Sequence, residues 1–283
     1  MKKSVKIIAL ALVLVMCVGM FAACGSSEEE GSYTPVATQA NALMEVKSGT
    51  ADAAVVDYTM ATAMTGEGTD YSDLMMIEDL TLIDEQYGIG FRNGSTMVDE
   101  VNKAIAALIE DGTLTEIAEK YGLEGSLLTD VTPSDEKGES EDDDWAYIKE
   151  KGTLVIGITE YAPMNYYDES GTLIGFDTEF AEAVCEYLGI TPEFIVINWD
   201  TKETELESKI IDCLWNGLTV DDDRKENMDF SASYMNNKQV VVIQADDADK
   251  YTDVDSLKTC SIVAEQGSAG ESAVADVIGI AVA

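Results

Sequence analysis

Apolar residues recur at helical spacing in two parts of the chain, residues 96–111 and 177–188. The apolar faces of these two predicted helices consist of Val98, Val101, Ile105 and Leu108 in the first, and of Phe180, Val184, Tyr187 and Leu188 in the second. Gly112 and Gly189 end the two helices, because glycine readily adopts the left-handed conformation of a helix C-terminus. Thr113 and Glu116 form the pattern of a capping box that starts the next helix.

Short apolar runs between the helical segments predict β-strands. They cover residues 52–57, 87–91, 154–158, 194–197, 210–214, 240–243 and 261–264. Predicted strands alternate with predicted helices throughout, which is typical of an α/β architecture.

The first residues have the pattern of an export signal. A positive start precedes an almost unbroken apolar run, which is too short for a comfortable membrane span and ends at Ala22 and Ala23. The stretch Phe-Ala-Ala-Cys24-Gly-Ser-Ser resembles a bacterial lipobox, in which the cysteine is lipidated. We therefore expect a signal peptide at 1–23, lipid attachment at Cys24 and a tether over 24–32. The alternative is an ordinary signal peptide with an incidental cysteine.

An acidic run from Asp130 to Asp144 separates two folded segments. It contains almost no apolar residues and cannot offset the entropy of ordering. We predict a flexible linker over residues 125–144.

Composition excludes several classes of function. The formal net charge of -38 argues against a nucleic-acid partner, because phosphate binding needs cations. The absence of histidine excludes every histidine-based catalytic or metal site, and we predict no cofactor and no metal. Cys185, Cys213 and Cys260 lie far apart in apolar contexts, which favours buried free thiols over a disulfide.

Two segments resemble the two halves of one protein family. The stretch GTLVIGITEYAPMNYYDESGTLIGFDTEFAEAVCEYLGI, with NGLTVDDDRKENMDFSASYM and VAEQGS, resembles the first half of the amino-acid-binding proteins of ABC importers. The stretch ALMEVKSGTADAAVVD, with YGIGFRNGSTMVDEVNKAIAALIEDGTLTEIAEKYG, resembles the second half. Each half occurs once, in reversed order, which indicates a circular permutation.

The resemblance implies a two-lobed, periplasmic-binding-protein-like (type II) clamp with its ligand in the cleft. One lobe would contain residues 95–124 and 145–238, and the other residues 33–86 and 246–283. Crossover strands at 87–94 and 239–245 would join the lobes. The acidic linker would then bridge the two ends of an ordinary relative.

Arg224 is similar to the family arginine that binds the ligand carboxylate, a role that suits the planar fork of a guanidinium. Alternatively, it is a surface arginine that neutralises Asp221 to Asp223. Gly217 and Thr219 match the family turn that offers a carbonyl and a hydroxyl to the ligand. Ordinary turn chemistry after a strand is the alternative for both.

Asp57 matches the family carboxylate that pairs with the ligand ammonium, although its position before a predicted helix is also that of an N-cap. Ser268 opens a helix whose free N–H groups suit a carboxylate, and it too fits an N-cap. The family often has a second hydroxyl where this chain has Ala269.

Tyr161 and Trp199 correspond to the aromatic positions that sandwich the ligand side chain, and core packing is the alternative for Trp199. The loop that contains Glu160 is about one residue shorter than the family pattern, which often has an aspartate there, so Glu160 is a candidate for the ligand ammonium. Glu265 stands where the family often faces the ligand side chain. Two carboxylates would favour a cationic or amide-bearing amino acid.

These resemblances imply a receptor, not an enzyme. It would be a monomer anchored by lipid to the outer face of the bacterial cytoplasmic membrane, where it would deliver a free polar amino acid to an ABC permease. One alternative is a dehydratase on the same fold, similar to cyclohexadienyl dehydratase, although no carboxylate pair at general-acid spacing is evident. A sensor input module and a nonfunctional rearranged binding protein are the others.

Overall fold

The computed structural model describes residues 30–130 and 143–282. The predicted signal peptide, Cys24 and the greater part of the acidic linker lie outside the described residues. In the described part, no helix combines the length and the apolar character needed to cross a membrane.

Helices α1 to α10 lie, in chain order, at Gln39–Ser48, Tyr58–Met64, Met97–Glu110, Thr113–Lys120, Asp144–Lys151, Phe176–Leu188, Lys202–Glu207, Asp222–Asn227, Val254–Leu257 and Ala269–Ala273. Strands β1 to β11 lie at Ser32–Val36, Ala53–Asp57, Leu74–Arg92, Thr153–Ile158, Tyr166–Tyr167, Leu173–Ile174, Thr191–Val196, Cys213–Thr219, Met228–Phe230, Met235–Gln244 and Ser261–Glu265. The predicted α/β class is confirmed.

Nine strands form one mixed sheet in the order β1-β11-β2-β10-β3-β8-β4-β7, and β9 pairs with β3. Strands β1, β11 and β2 run parallel to one another and are called the terminal group, because they come from both ends of the described chain. Strands β8, β4 and β7 also run parallel and are called the middle group. The long antiparallel strands β10 and β3 join the two groups, so the fold is two-lobed.

The terminal group pairs segments that are far apart in sequence. Strand β1 is in register with β11, with Ser32 opposite Ser261 and Val36 opposite Glu265. The apolar cluster around this group combines side chains of β2, β10, β11 and the helical turn after α10, including Val55, Val241, Ile262 and Val274. Early and late parts of the chain therefore share one core.

The helix predictions are largely correct, but the capping box is wrong. Helix α3 buries the predicted face of Val98, Val101, Ile105 and Leu108. Helix α4 begins at Thr113 with Gly112 as its N-cap and has no side-chain capping bond. The carboxylate of Asp111 accepts the Thr113 amide at 2.9 Å instead, because Gly112 already makes the turn between the helices.

The strand predicted at 210–214 is displaced towards the C-terminus. Strand β8 begins at Cys213, which pairs with Ile156 of β4, and continues to Thr219, which pairs with Tyr87 of β3. Residues 216–219, predicted as a turn, therefore lie within a strand. The apolar character of Ile210 was misleading, because its side chain is exposed.

The predicted linker is held at both of its described ends. The Leu128 amide donates to Tyr234 O at 2.8 Å, and the Asn236 amide donates to Ser126 O at 2.8 Å. On the other side, Asp144 starts α5 and its carboxylate accepts from Ser95 Oγ at 2.6 Å.

Both predicted crossover strands also begin earlier than expected, since β3 and β10 start at Leu74 and Met235.

The three described cysteines, Cys185, Cys213 and Cys260, are buried free thiols, as predicted. Burial raises the pKa of Cys185 to about 12 and that of Cys260 to about 11. These thiols are consequently unreactive near neutral pH.

Candidate functional site

A small buried cavity lies between the terminal and middle groups. The terminal group and its helices line it with Gln39, Asp57, Glu265, Ser268 and Ala269, and the middle group with Tyr161, Trp199, Asn216, Gly217, Thr219 and Arg224. Its volume is about 10 Å³, which is about that of one water-sized probe. The structure thus brings together eight of the nine predicted site residues.

Glu160 is the predicted site residue that does not line this cavity. Its neighbours Thr159 and Tyr161 are both buried, whereas Glu160 is exposed. The side chain between these two inward-facing neighbours therefore lies at the surface.

Arg224 forms the cationic side of the cavity. Its Nη1 donates to Thr219 O at 2.9 Å and its Nη2 to Gly267 O at 3.4 Å. Its Nε lies 3.3 Å from the carboxylate of Asp221, which also caps α8 by accepting the Arg224 amide at 2.8 Å. Arg224 thus pairs with one of the preceding aspartates, as expected for a surface arginine that neutralises them. Its side chain is nevertheless buried against the cavity.

Asp57 forms the anionic side. It is the last residue of β2 and occupies the N-cap position of α2, but its side chain makes no capping bond. Its carboxylate accepts hydrogen bonds from the amide groups of Gln39, Asn237 and Gln239, with the Asn237 bond at 3.0 Å. Gln39 also accepts the Asp57 backbone amide at 2.9 Å. These donors hold the carboxylate at the cavity wall.

Sequence analysis missed the three amide side chains that hold Asp57, and it also missed Glu85. Gln239 stands directly opposite Asp57 in the β2–β10 register. Glu85 is buried behind the wall, where it accepts from Thr219 Oγ1 at 3.0 Å and from Gln239 Nε2 at 2.9 Å. Burial, followed by the nearby Asp57 carboxylate, raises the pKa of Glu85 to about 8.

One sequence signal could have indicated Glu85. Residues 84–87 alternate strictly between exposed and buried, and Glu85 shares its face with Tyr87, which is fully buried. If the predicted strand at 87–91 is extended backwards with alternating side chains, Glu85 falls on the interior face of the strand.

Glu265 is a second buried acid at the cavity. It ends β11, is 3% exposed, and its Oε1 has no hydrogen-bond partner among the described residues. Burial, followed by the Asp57 carboxylate, raises its pKa to about 8, whereas Lys202 and Arg224 act in the opposite direction. Its free oxygen is able to accept a hydrogen bond from a donor in the cavity.

Lys202 is a buried cation that sequence analysis also missed. Its Nζ donates to Gly267 O at 2.9 Å and to Trp199 O at 3.3 Å, and it lies 5.2 Å from the centre of the Trp199 ring. Burial, followed by repulsion from Arg224, lowers its pKa to about 8. Gly267 O therefore accepts hydrogen bonds from two cationic side chains, Lys202 and Arg224, on the opposite side of the cavity.

The aromatic and glycine positions shape the remaining wall. Tyr161 is buried and its hydroxyl bonds to those of Thr59 and Tyr87, the latter at 2.7 Å. Gly217 has a φ of +57°, and a Cβ on it would lie 2.6 Å from Tyr161 Cε1, so only glycine fits there. Trp199 both lines the cavity and packs in an apolar cluster with Leu206 and Ile211, which combines its two expected roles.

Ser268 caps the short helix α10, because its Oγ accepts the Glu271 amide at 3.2 Å. It also lines the cavity. The N-cap alternative is thus realised, and a contact between Ser268 and a ligand stays a prediction.

Comparison with known proteins gives one matching family. Residues 154–273 match the bacterial extracellular solute-binding proteins, family 3. The chain is 38% identical over 88 residues to the L-cystine-binding protein TcyJ of Escherichia coli K12, covering 31% of this chain and 33% of that protein. It is 36% identical over 114 residues to the L-cystine-binding protein TcyA of Bacillus subtilis, covering 39% and 42%.

Among solved structures, an ABC uptake transporter substrate-binding protein from Streptococcus pneumoniae with bound histidine is 36% identical, with a TM-score of 0.30. That match covers 31% of this chain and 36% of the other. The chain thus spans between a third and about two fifths of the length of these relatives. Over residues 154–273 it is similar to the bacterial extracellular solute-binding proteins of family 3, and it resembles the amino-acid-binding proteins named above.

Proposed function

We propose that this protein is the solute receptor of an ABC importer and binds a free polar amino acid in the cavity between its two strand groups. The observation that carries this proposal is the placement of Arg224 and Asp57 on opposite walls of one buried cavity. A zwitterion needs one cationic fork for its carboxylate and one carboxylate for its ammonium. The cavity supplies both, and Ser268 and Thr219 add hydroxyl groups.

The ligand's side chain would lie against Tyr161 and Trp199 and donate a hydrogen bond to Glu265. A donor is favoured because Glu265 Oε1 is buried and has no partner among the described residues, and an unmatched buried acceptor is costly. The relatives named for L-cystine and the structure with bound histidine agree with a polar ligand. Their names describe binding, which favours a receptor over an enzyme.

Ligand entry requires the two walls to separate, since the cavity volume is far below the ~300 Å³ of a small-ligand pocket. Hydrogen bonds between the two walls hold it closed, and one of them joins the hydroxyls of Thr59 and Tyr161. Gly267 O of one wall accepts from Arg224 and Lys202 of the other. We infer that β3 and β10 bend as the cleft opens and that ligand stabilises the closed state by contacting both walls.

We propose that this chain contains the two halves of the amino-acid-binding proteins in circularly permuted order. The family match covers only residues 154–273, while β1, β2 and β3 complete the same sheet from the other end of the chain. Gly31 donates to Lys258 O at 2.9 Å, and a Cβ on it would lie 2.7 Å from Ile280 Cδ1. A short connection from residue 282 to residue 31 would therefore restore a continuous lobe.

The proposed cellular setting follows from the family and from the first residues of the sequence. The receptor would be extracytoplasmic, a monomer, lipid-anchored at Cys24, and its partner would be an ABC permease. Globomycin treatment of expressing cells should leave the precursor uncleaved, and Cys24→Ala should release the protein from the membrane. Unchanged processing and membrane attachment in both experiments would contradict the lipid anchor.

A thermal-shift screen of the purified chain against the twenty amino acids and L-cystine tests the function. Because a ligand that binds only the folded state raises the melting temperature, at least one polar amino acid should do so. Arg224→Ala should abolish that shift, whereas the matched control Lys225→Ala, at the exposed neighbouring position, should retain it. No shift with any of these compounds would contradict an amino-acid receptor.

A further inference from the structure

Glu85 lies behind the wall of the cavity and contacts the residues that form it. It does not line the cavity itself, but its Oε2 accepts from Thr219 Oγ1 at 3.0 Å, and Thr219 does line it. Glu85 stands on β3 and its amide partners stand on β10, the two strands that join the strand groups. A change of charge at Glu85 would therefore change the electrostatic potential in the cavity.

Glu85 and Asp57 share their hydrogen-bond donors. Asn237 Nδ2 lies 2.5 Å from Glu85 Oε1 and 3.0 Å from Asp57 Oδ1. Gln239 Nε2 lies 2.9 Å from the same Glu85 oxygen and also bonds Asp57 Oδ1. Two carboxyl oxygens that converge on the same two nitrogen atoms are close neighbours. Two ionised carboxylates at such a separation in a buried site repel each other strongly.

Two cations share cavity walls with this pair: Arg224 lines the same cavity as Asp57, and Lys225 lines a second cavity together with Glu85. Within residues 30–130 and 143–282, no lysine or arginine bonds to either carboxyl. The other titratable groups that face the pair are the hydroxyls of Tyr87 and Tyr161, whose pKa values burial raises well above the ordinary value, and Glu265 faces Asp57. The tyrosines are therefore neutral, and Glu265 supplies no positive charge to the pair in either protonation state.

We propose that Asp57 and Glu85 act as one carboxyl pair that holds a single proton in the free protein and releases it when the ligand ammonium binds at Asp57. The released proton passes from the Glu85 carboxyl to the solvent, and the ammonium keeps its three protons. This inference rests on the proposed function, because it needs an ammonium at Asp57. It makes Glu85 a positioning residue that couples binding to protonation.

The sign of the resulting pH dependence follows from competition between proton and ligand. Below pH 8 the free pair holds its proton, so binding must expel it. Affinity should then fall as pH falls, by up to about tenfold for each pH unit. Above pH 8 this dependence should level off, because the proton is already lost.

The first test uses the full chain without ligand. Carboxyl ¹³C labelling of glutamate, with the Glu85 signal assigned by its loss in Glu85→Gln, should give a titration midpoint near 8. Asp57→Asn should lower that midpoint, because it removes the neighbouring charge. A midpoint near the ordinary 4.5, or one that Asp57→Asn leaves unchanged, would overturn the pair.

The second test measures proton release on binding. Calorimetry at pH 7 with L-arginine as the probe, in two buffers that differ in protonation enthalpy, should show 0.5 to 1 proton released per ligand, roughly one at most for a single site. Glu85→Gln, which keeps the hydrogen-bonding shape, should release close to none, and Glu186→Gln on the exposed face of α6 should match the wild type.

The outcomes separate the two proposals. Binding with equal heat in both buffers would overturn proton coupling and leave the receptor function intact. If no amino acid binds, the receptor function fails, while the Glu85 midpoint still decides whether the pair holds a proton.

Discussion

The two walls of the cavity hold their charged groups in different ways. On the middle-group wall, Arg224 donates to the backbone carbonyl of Thr219 and, across the cavity, to that of Gly267, and its one side-chain partner in the described residues is the partly exposed Asp221. On the terminal-group wall, Asp57 is held by the side-chain amides of Gln39, Asn237 and Gln239. Backbone carbonyls are present whatever the sequence, whereas side-chain amides are lost by single substitutions. The anionic wall should therefore be the more sensitive of the two to changes in the surrounding residues.

The largest effects should come from the charged groups themselves. Arg224→Ala and Asp57→Asn should each weaken amino-acid binding by about 2–5 kcal/mol, since each leaves one charge of the ligand buried without its partner. Calorimetry with the best ligand of the thermal-shift screen measures both values, with Lys225→Ala as control. Near-wild-type affinity in both variants would show that the ligand does not lie between these residues.

Smaller losses of binding should distinguish the residues that hold Asp57 from the residue that pairs with Arg224. Gln39→Leu removes one amide from the Asp57 carboxylate and should cost binding about 1.5–3 kcal/mol, as for a hydrogen bond to a charged group. Asp221→Asn removes a partly exposed ion partner of Arg224 but keeps the helix cap, and should cost about 0–1 kcal/mol. Equal losses in the same calorimetric titrations would remove the distinction between the walls.

A separate effect, on stability and not on binding, should be a pH dependence that belongs to the acids of the cavity. Glu265 loses its proton near pH 4.5 in the unfolded chain, whereas in the folded chain it keeps the proton up to about pH 8. The unfolded state binds fewer protons in that range, so stability should decline as pH rises from 5 to 8. Lys202 has its pKa lowered to about 8, so its contribution rises with pH above 8.

Urea denaturation of wild type and Glu265→Gln between pH 5 and 9 isolates the contribution of this acid. The unfolding free energy of wild type relative to the variant should fall up to pH 8 and then stay level. Glu186→Gln, an exposed acid on α6, should follow the wild-type curve. A difference between wild type and Glu265→Gln that is independent of pH would mean that Glu265 is not a buried protonated acid.

Motifs predicted those residues that lie at the ends of strands and starts of helices. Asp57 at the end of β2, Arg224 in α8 and Ser268 before α10 all line the cavity. Local sequence suffices in these cases because element ends meet at one edge of a parallel strand group. Glu160, chosen by the same motif reasoning, is exposed and does not line the cavity, so its contact with a ligand stays a prediction.

The supporting residues could not be predicted locally. Gln239 and Asn237 reach Asp57 only through the pairing of β10 with β2, a contact between positions about 180 residues apart. Lys202 meets Gly267 only because the two strand groups close on each other. Sequence periodicity gives the face on which a residue lies but not which distant strand lies beside it.

A crystal structure of the chain with the amino acid identified by the thermal-shift screen tests the central claim most directly. The account predicts one ligand between the strand groups, with its carboxylate on the Arg224 guanidinium and its ammonium on the Asp57 carboxylate, so that segments from both ends of the described chain contact it. A ligand bound elsewhere, or held by the middle group alone without Asp57, would contradict the composite site.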